Sequence, residues 1–74
     1  MFTIEFVIAE GRESPAIIEK MVSRVRYISD ANIMARSQLE GVRRNHSEAP
    51  PDGFQIRDAS GHVVLRSWQT SRLG

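Results

Sequence analysis

Only between residues 30 and 44 do apolar residues recur at steps of three and four over several turns. The stripe comprises Ala31, Met34, Ala35, Leu39 and Val42. Ser29 and Asp30 precede it, and a short polar side chain there can accept hydrogen bonds from the free N–H groups of a helix start. The spacing therefore predicts one long amphipathic helix over 30–44.

Two strands are predicted before this helix. Residues 2–8 alternate between apolar side chains and others, which predicts a strand with one buried face. Residues 24–28 alternate again, with Val25 and Tyr27 on one face, and they predict a second strand over about 22–28. Residues 14–21 fit either one or two helical turns after Ser14-Pro15 or the beginning of a longer second strand, and both interpretations stay open.

A hairpin is predicted after the helix. Residues 46–53 contain two adjacent prolines, which lack backbone donors, and they predict a loop. Residues 54–57 and 62–68 predict two strands joined by a type I turn, in which Gly61 takes the left-handed position and a bulge follows. In this pairing one face carries Phe54, Ile56, Val64 and Trp68. Val63 and Leu65 are then predicted to point to the other face.

These elements predict a single α+β domain over 1–74 with the order ββαββ, one long helix packed on a mostly antiparallel sheet, and a frayed end at 69–74. The predicted core comprises Phe2, Ile4, Phe6, Val25, Tyr27, Met34, Leu39, Val42, Phe54, Ile56, Val64 and Trp68. One helix covers one face of a sheet. The apolar residues predicted to face outward are Val7, Ile28, Val63 and Leu65.

The outward apolar residues favour a protein-interaction domain. Two such sheets or edge strands could meet in a homodimer, or an unknown protein partner could cover them. The predicted interface residues are Val63 and Leu65 on the hairpin. The alternative is that residues 14–21 or the C-terminal tail fold over the same face.

Composition narrows the function classes. The 74 residues include no cysteine, which excludes disulfides and cysteine-ligated metal sites. No apolar run approaches the roughly 18 residues of a membrane span, and no secretory signal is visible, so a cytoplasmic location is expected. His46 and His62 lack a metal-ligand spacing, and the scattered glycines form no phosphate loop. No catalytic residue, metal ligand or cofactor is predicted, and the chain is not expected to be an enzyme.

Arginine supplies nine of the ten basic residues. A one-sided cluster would bind phosphate, and this defines the alternative function, a weak nucleic-acid-binding protein. The candidate contacts are Arg24, Arg26, Arg36, Arg43 and Arg44. The net charge is only +1, and no exposed aromatic residue is expected among these arginines, so nucleic acid is not the expected partner.

The last part of the chain resembles the end of many short bacterial proteins, in which a helix is followed by a proline-containing loop and a hairpin. The residues that carry the resemblance are Pro-Pro-Asp-Gly-Phe at 50–54 and Ile-Arg-Asp-Ala-Ser-Gly-His-Val-Val at 56–64. It covers about half of the chain, and it implies no activity.

Overall fold

The computed structural model describes residues 1–9 and 11–68. The elements are β1 (Phe2–Ile8), β2 (Ala16–Ser23), α1 (Ile28–Asn45), β3 (Gly53–Arg57) and β4 (Val63–Ser67). All neighbouring strands pair antiparallel in one sheet of order β2-β1-β3-β4. The predicted α+β class and ββαββ order are confirmed. The predicted frayed end, 69–74, lies outside the described residues.

The core lies between α1 and one face of the sheet. The helix packs mainly on the central strands β1 and β3. Ala31 and Ala35 are fully buried, and these small side chains allow the helix to approach the sheet closely. Phe6 and Phe54 are cross-strand neighbours whose ring centroids lie 6.3 Å apart in an edge-to-face arrangement. In the described part of the chain, no helix is long and apolar enough to cross a membrane.

The second strand differs from the prediction. Residues 14–21 fitted either helical turns or the beginning of a strand, and the structure has the strand from Ala16. β2 occupies Ala16–Ser23 instead of the predicted 22–28. Ser23 pairs with Phe2, the first residue of β1, so no partner strand remains for the residues that follow. Tyr27 is therefore not in the core but 64% exposed. Ile28, predicted to face outward from a strand, begins α1 and packs against the core.

The helix also begins earlier than predicted, at Ile28, with Tyr27 as the preceding residue. No side chain caps it; the carbonyl of Tyr27 accepts from the N–H groups of Asp30 and Ala31 at 3.1 and 3.2 Å. The predicted capping role of Ser29 or Asp30 is therefore wrong. Asp30 lies in the first turn instead, where its charge is favourable to the helix dipole.

The hairpin turn is confirmed, but the face assignment is not. The N–H of Gly61 donates to the carbonyl of Asp58 at 3.0 Å, and Gly61 has φ of 91°. A bulge follows, because Ile56 pairs with Leu65 while the adjacent Arg57 pairs with Val63. A shift of one residue exchanges the two faces of a strand. Leu65 therefore packs against the core, and Val64 is 47% exposed.

The proline-containing loop is held from both sides. The N–H of Asp52 donates to the carbonyl of Val7 at 2.8 Å, and its carboxylate accepts from the N–H of Ala9 at 2.7 Å. From the helix, the Arg43 guanidinium donates to the carbonyl of Pro51 at 3.1 Å and to that of Asp52 at 3.5 Å. This loop therefore fixes where β3 enters the sheet.

Candidate functional site

The sheet face turned away from α1, called here the outer face, is the surface on which strand register brings together polar side chains and Trp68, with buried residues at its centre and exposed cations at its ends. Two rows of residues cross it from β2 to β4. The polar row comprises Lys20, Glu5, Gln55 and Arg66. The apolar row comprises Ile17, Val7, Gly53 and Trp68, the last placed by the close approach of its Cβ to Gly53. Val7 faces away from the helix, as predicted, although it is fully buried.

The centre of the polar row is a buried hydrogen-bonded group. Glu5 and Gln55 are each 3% exposed. The Gln55 amide donates to Glu5 Oε1 at 2.7 Å, and Arg57 Nε donates to the same oxygen at 3.0 Å. Arg57 also donates to the carbonyl of Gly61 at 2.7 Å. A buried carboxylate needs such partners, so Glu5 joins β1, β3 and the hairpin turn, and Arg57 neutralises its charge.

Two cations lie at the ends of the polar row. Lys20 on β2 and Arg66 on β4 are exposed. Neither forms an ion pair with a carboxylate within residues 1–9 and 11–68. The guanidinium carbon of Arg66 lies 5.8 Å from the ring centroid of Trp68, which is within the range of a cation–π contact.

Sequence reasoning missed this pair because it placed Trp68 in the core. Trp68 is half-buried on the outer face, two positions beyond Arg66. The available signal was the turn, because a bulge after a hairpin turn shifts the alternation of the following strand by one residue; here the bulge lies at Val64, between the Ile56–Leu65 and Arg57–Val63 pairs. A half-buried aromatic residue therefore lies beside Arg66 on the outer face, and the exposed Tyr27 directly follows Arg26, one of the arginines predicted to bind nucleic acid.

The five predicted nucleic-acid contacts do not form one patch. Arg24 and Arg26 precede α1, whereas Arg43 and Arg44 lie in its last turn, and the helix is 18 residues or about 27 Å long. Arg36 is exposed between them. Arg43 is also committed to the loop carbonyls described above and lies 3.7 Å from Glu40.

The predicted protein-interface residues lie on β4, an edge strand among the described strands. Val63 is half-buried, and Leu65 packs against the core instead of facing outward. The exposed aliphatic residues of the sheet are others, namely Val64 at 47%, Val22 at 57% and Ile17 at 41%.

A concave region lies where the end of α1 meets β2. A cavity of about 460 Å³ is lined by Ile18 and residues 45–49. Beside it, His46 Nε2 lies 3.0 Å from Glu19 Oε1 and joins the helix end to β2. In the described part of the chain, no three His, Cys, Asp or Glu side chains are grouped to hold a metal ion. The contact between His46 and Glu19 holds the end of α1 against β2.

Comparison with known proteins finds no matching family model, no similar curated protein and no similar solved structure. The resemblance to short bacterial proteins stays a prediction.

Proposed function

We propose that this chain is a small, non-enzymatic protein-interaction domain that self-associates by pairing its β4 edge with β4 of a second copy. The observation that carries the proposal is the character of this edge. β4 has a hydrogen-bonded neighbour on one side in the described sheet, contains no proline, and carries a single charge among Val63–Ser67. Such an edge is a template for another strand.

The other edge strand is less suited to pairing. β2 carries Glu19 and Lys20 next to its bulge, and charges and bulges are features that discourage edge-to-edge contact. The helix, which packs mainly on β1 and β3, leaves β4 at the margin of the core. β4 is therefore the better candidate for an intermolecular strand pair.

The sequence of β4 is compatible with its own antiparallel copy. When the two-fold axis passes through Leu65, Val64 of each copy lies opposite Arg66 of the other, and Val63 lies opposite Ser67. Like charges that lie directly opposite each other destabilise a strand pair, and this register opposes none. This arrangement retains Val63 and Leu65 as interface residues, with Leu65 meeting its symmetry mate while it still contacts its own core.

The dimer is expected to be weak. Stable interfaces bury about 800 Å² per partner, more than one five-residue strand covers. Association also costs several kcal/mol in lost translational and rotational freedom. We therefore expect a dissociation constant of about 1 μM or higher. This corresponds to a binding free energy of about 8 kcal/mol or less in magnitude.

Sedimentation of the protein at hundreds of micromolar should show a species of twice the 8.4 kDa chain mass. Val64→Lys would place a lysine opposite Arg66 of the second copy and should weaken the dimer about tenfold or more, since like charges across an interface are repulsive. Val64 is 47% exposed, so the monomer fold should persist.

Val22→Lys is the matched control, because Val22 is 57% exposed on the opposite edge strand. It should leave the dimer unchanged. A monomer at every concentration would reject self-association, and a dimer broken by Val22→Lys but not by Val64→Lys would move the interface to β2. Leu65→Lys is a poorer test, because Leu65 also contacts the core.

A further inference from the structure

We infer that the outer face binds single-stranded nucleic acid through Lys20, Arg66 and Trp68. This goes beyond the proposed self-association, which concerns the edge of the sheet. It uses none of the five arginines predicted as nucleic-acid contacts, and it depends on the charge of the outer face and on the Trp68 indole ring.

Among residues 1–9 and 11–68, the outer face carries two cations that no carboxylate compensates. Glu5 is neutralised by Arg57, which lies 3.0 Å away. Lys20 and Arg66 remain at the two ends of the polar row, three strand spacings or about 14 Å apart. Both are exposed, and neither has an ion-pair partner in the described part of the chain. An extended anionic chain that crosses the strands would contact both.

A second copy of the protein is a poor occupant of this face. When two outer faces stack with their strands aligned, the two-fold axis lies along the polar row or across its centre. In the first case Lys20 faces Lys20 of the other copy, and in the second it faces Arg66. Both arrangements oppose like charges, which costs several kcal/mol at an interface. The face therefore favours an anionic partner.

The indole ring of Trp68 favours nucleic acid over other anionic partners. Trp68 lies beside Arg66, and base stacking on an aromatic ring contributes about 1–3 kcal/mol per base. Guanidinium planes also stack on bases. The bases of a duplex are stacked on each other and present only their edges in the grooves, whereas the unpaired bases of a single strand can stack on an aromatic ring. An acidic peptide would satisfy the two cations but would leave the indole unused.

Trp68 is the only tryptophan in the chain, so its fluorescence reports directly on the outer face. Titration with single-stranded oligothymidylate at about 20 mM salt should quench this fluorescence. With two phosphates neutralised, the logarithm of the affinity should fall with the logarithm of salt with a slope of about −1.4. A DNA duplex of the same length should bind more weakly.

Three variants and one control locate the contact. Lys20→Gln and Arg66→Gln should each weaken binding about tenfold at this salt and make the slope shallower by about 0.7. Trp68→Leu, followed by anisotropy of a labelled oligonucleotide, should weaken it about fivefold or more. Arg36→Gln removes an exposed arginine from the helix on the other side of the sheet and should change nothing. Circular dichroism of each variant checks the fold.

Three results with nucleic acid would overturn the proposal, and a fourth would do so with an acidic polymer. The first three are an absence of quenching with hundreds of micromolar oligothymidylate, an equal loss of affinity in Arg36→Gln, and equal or tighter binding of duplex. Polyglutamate that quenches Trp68 with the affinity of the oligonucleotide would also overturn it, and would assign the face to an acidic peptide.

Discussion

Replacing Phe6 with alanine is expected to lower the free energy of unfolding by about 3–5 kcal/mol, the usual cost of removing a buried aromatic ring. Phe6 is fully buried, and its ring contacts that of Phe54 at the centre of the sheet. A small domain commonly has a total stability near 5 kcal/mol, so a large fraction of this variant should be unfolded at 25 °C. Urea denaturation followed by circular dichroism measures the effect.

Tyr27→Ala is the control for this experiment. Tyr27 is 64% exposed, and only its backbone carbonyl supports the helix start, so the change should stay within about 1 kcal/mol. A loss as large as that of Phe6→Ala would return Tyr27 to the core, where the sequence had placed it. An unchanged denaturation curve for Phe6→Ala would contradict the packing of α1 on β1 and β3.

Gly53→Ala is expected to lower the free energy of unfolding by about 2–3 kcal/mol, in the upper part of the range for overpacking. A Cβ at this position would overlap the carbonyl oxygen of Ser67 and lie 2.8 Å from Trp68 Cβ. Both obstacles belong to the backbone or to the root of a side chain, so neither can rotate away. The end of β4 must separate from β3, which thermal denaturation would report as a lower melting temperature.

Gly41→Ala is the matched glycine substitution. Gly41 lies within α1, and a Cβ there would meet no atom within 4 Å. No neighbouring element therefore requires a glycine here, and alanine should raise the stability by about 0.5–1 kcal/mol through its helix propensity. Destabilisation by Gly41→Ala, or no effect of Gly53→Ala, would contradict these local geometries.

The elements that the sequence predicted well have local causes. The alternation of residues 2–8, the apolar stripe of α1 and the turn at Asp58–Gly61 each depend on side chains only a few positions apart. The extent of β2 could not be predicted in this way. It ends at Ser23 because β1 begins at Phe2, which is a property of the pairing and not of the residues after Ser23.

The outer face could not be predicted for the same reason. The polar row brings together residues from four strands, and each strand contributes according to its register and bulges. One bulge in the hairpin exchanges Val64 and Leu65 between the two faces. The exposed cations Lys20 and Arg66 were visible as residue types, but their common face depends on pairings between distant positions.

The position of β1 inside the sheet has a consequence during synthesis. Its first neighbour, β2, follows it directly, whereas its second neighbour, β3, begins only at Gly53. Residues 24–52 take about 1.5–6 s to emerge at a translation rate of ~5–20 residues per second. During that interval one edge of β1 is unpaired, because β3 is missing. Its Ile4 and Phe6 also lack the complete helix that packs on them. The nascent chain is therefore most vulnerable to aggregation before β3 emerges from the ribosome.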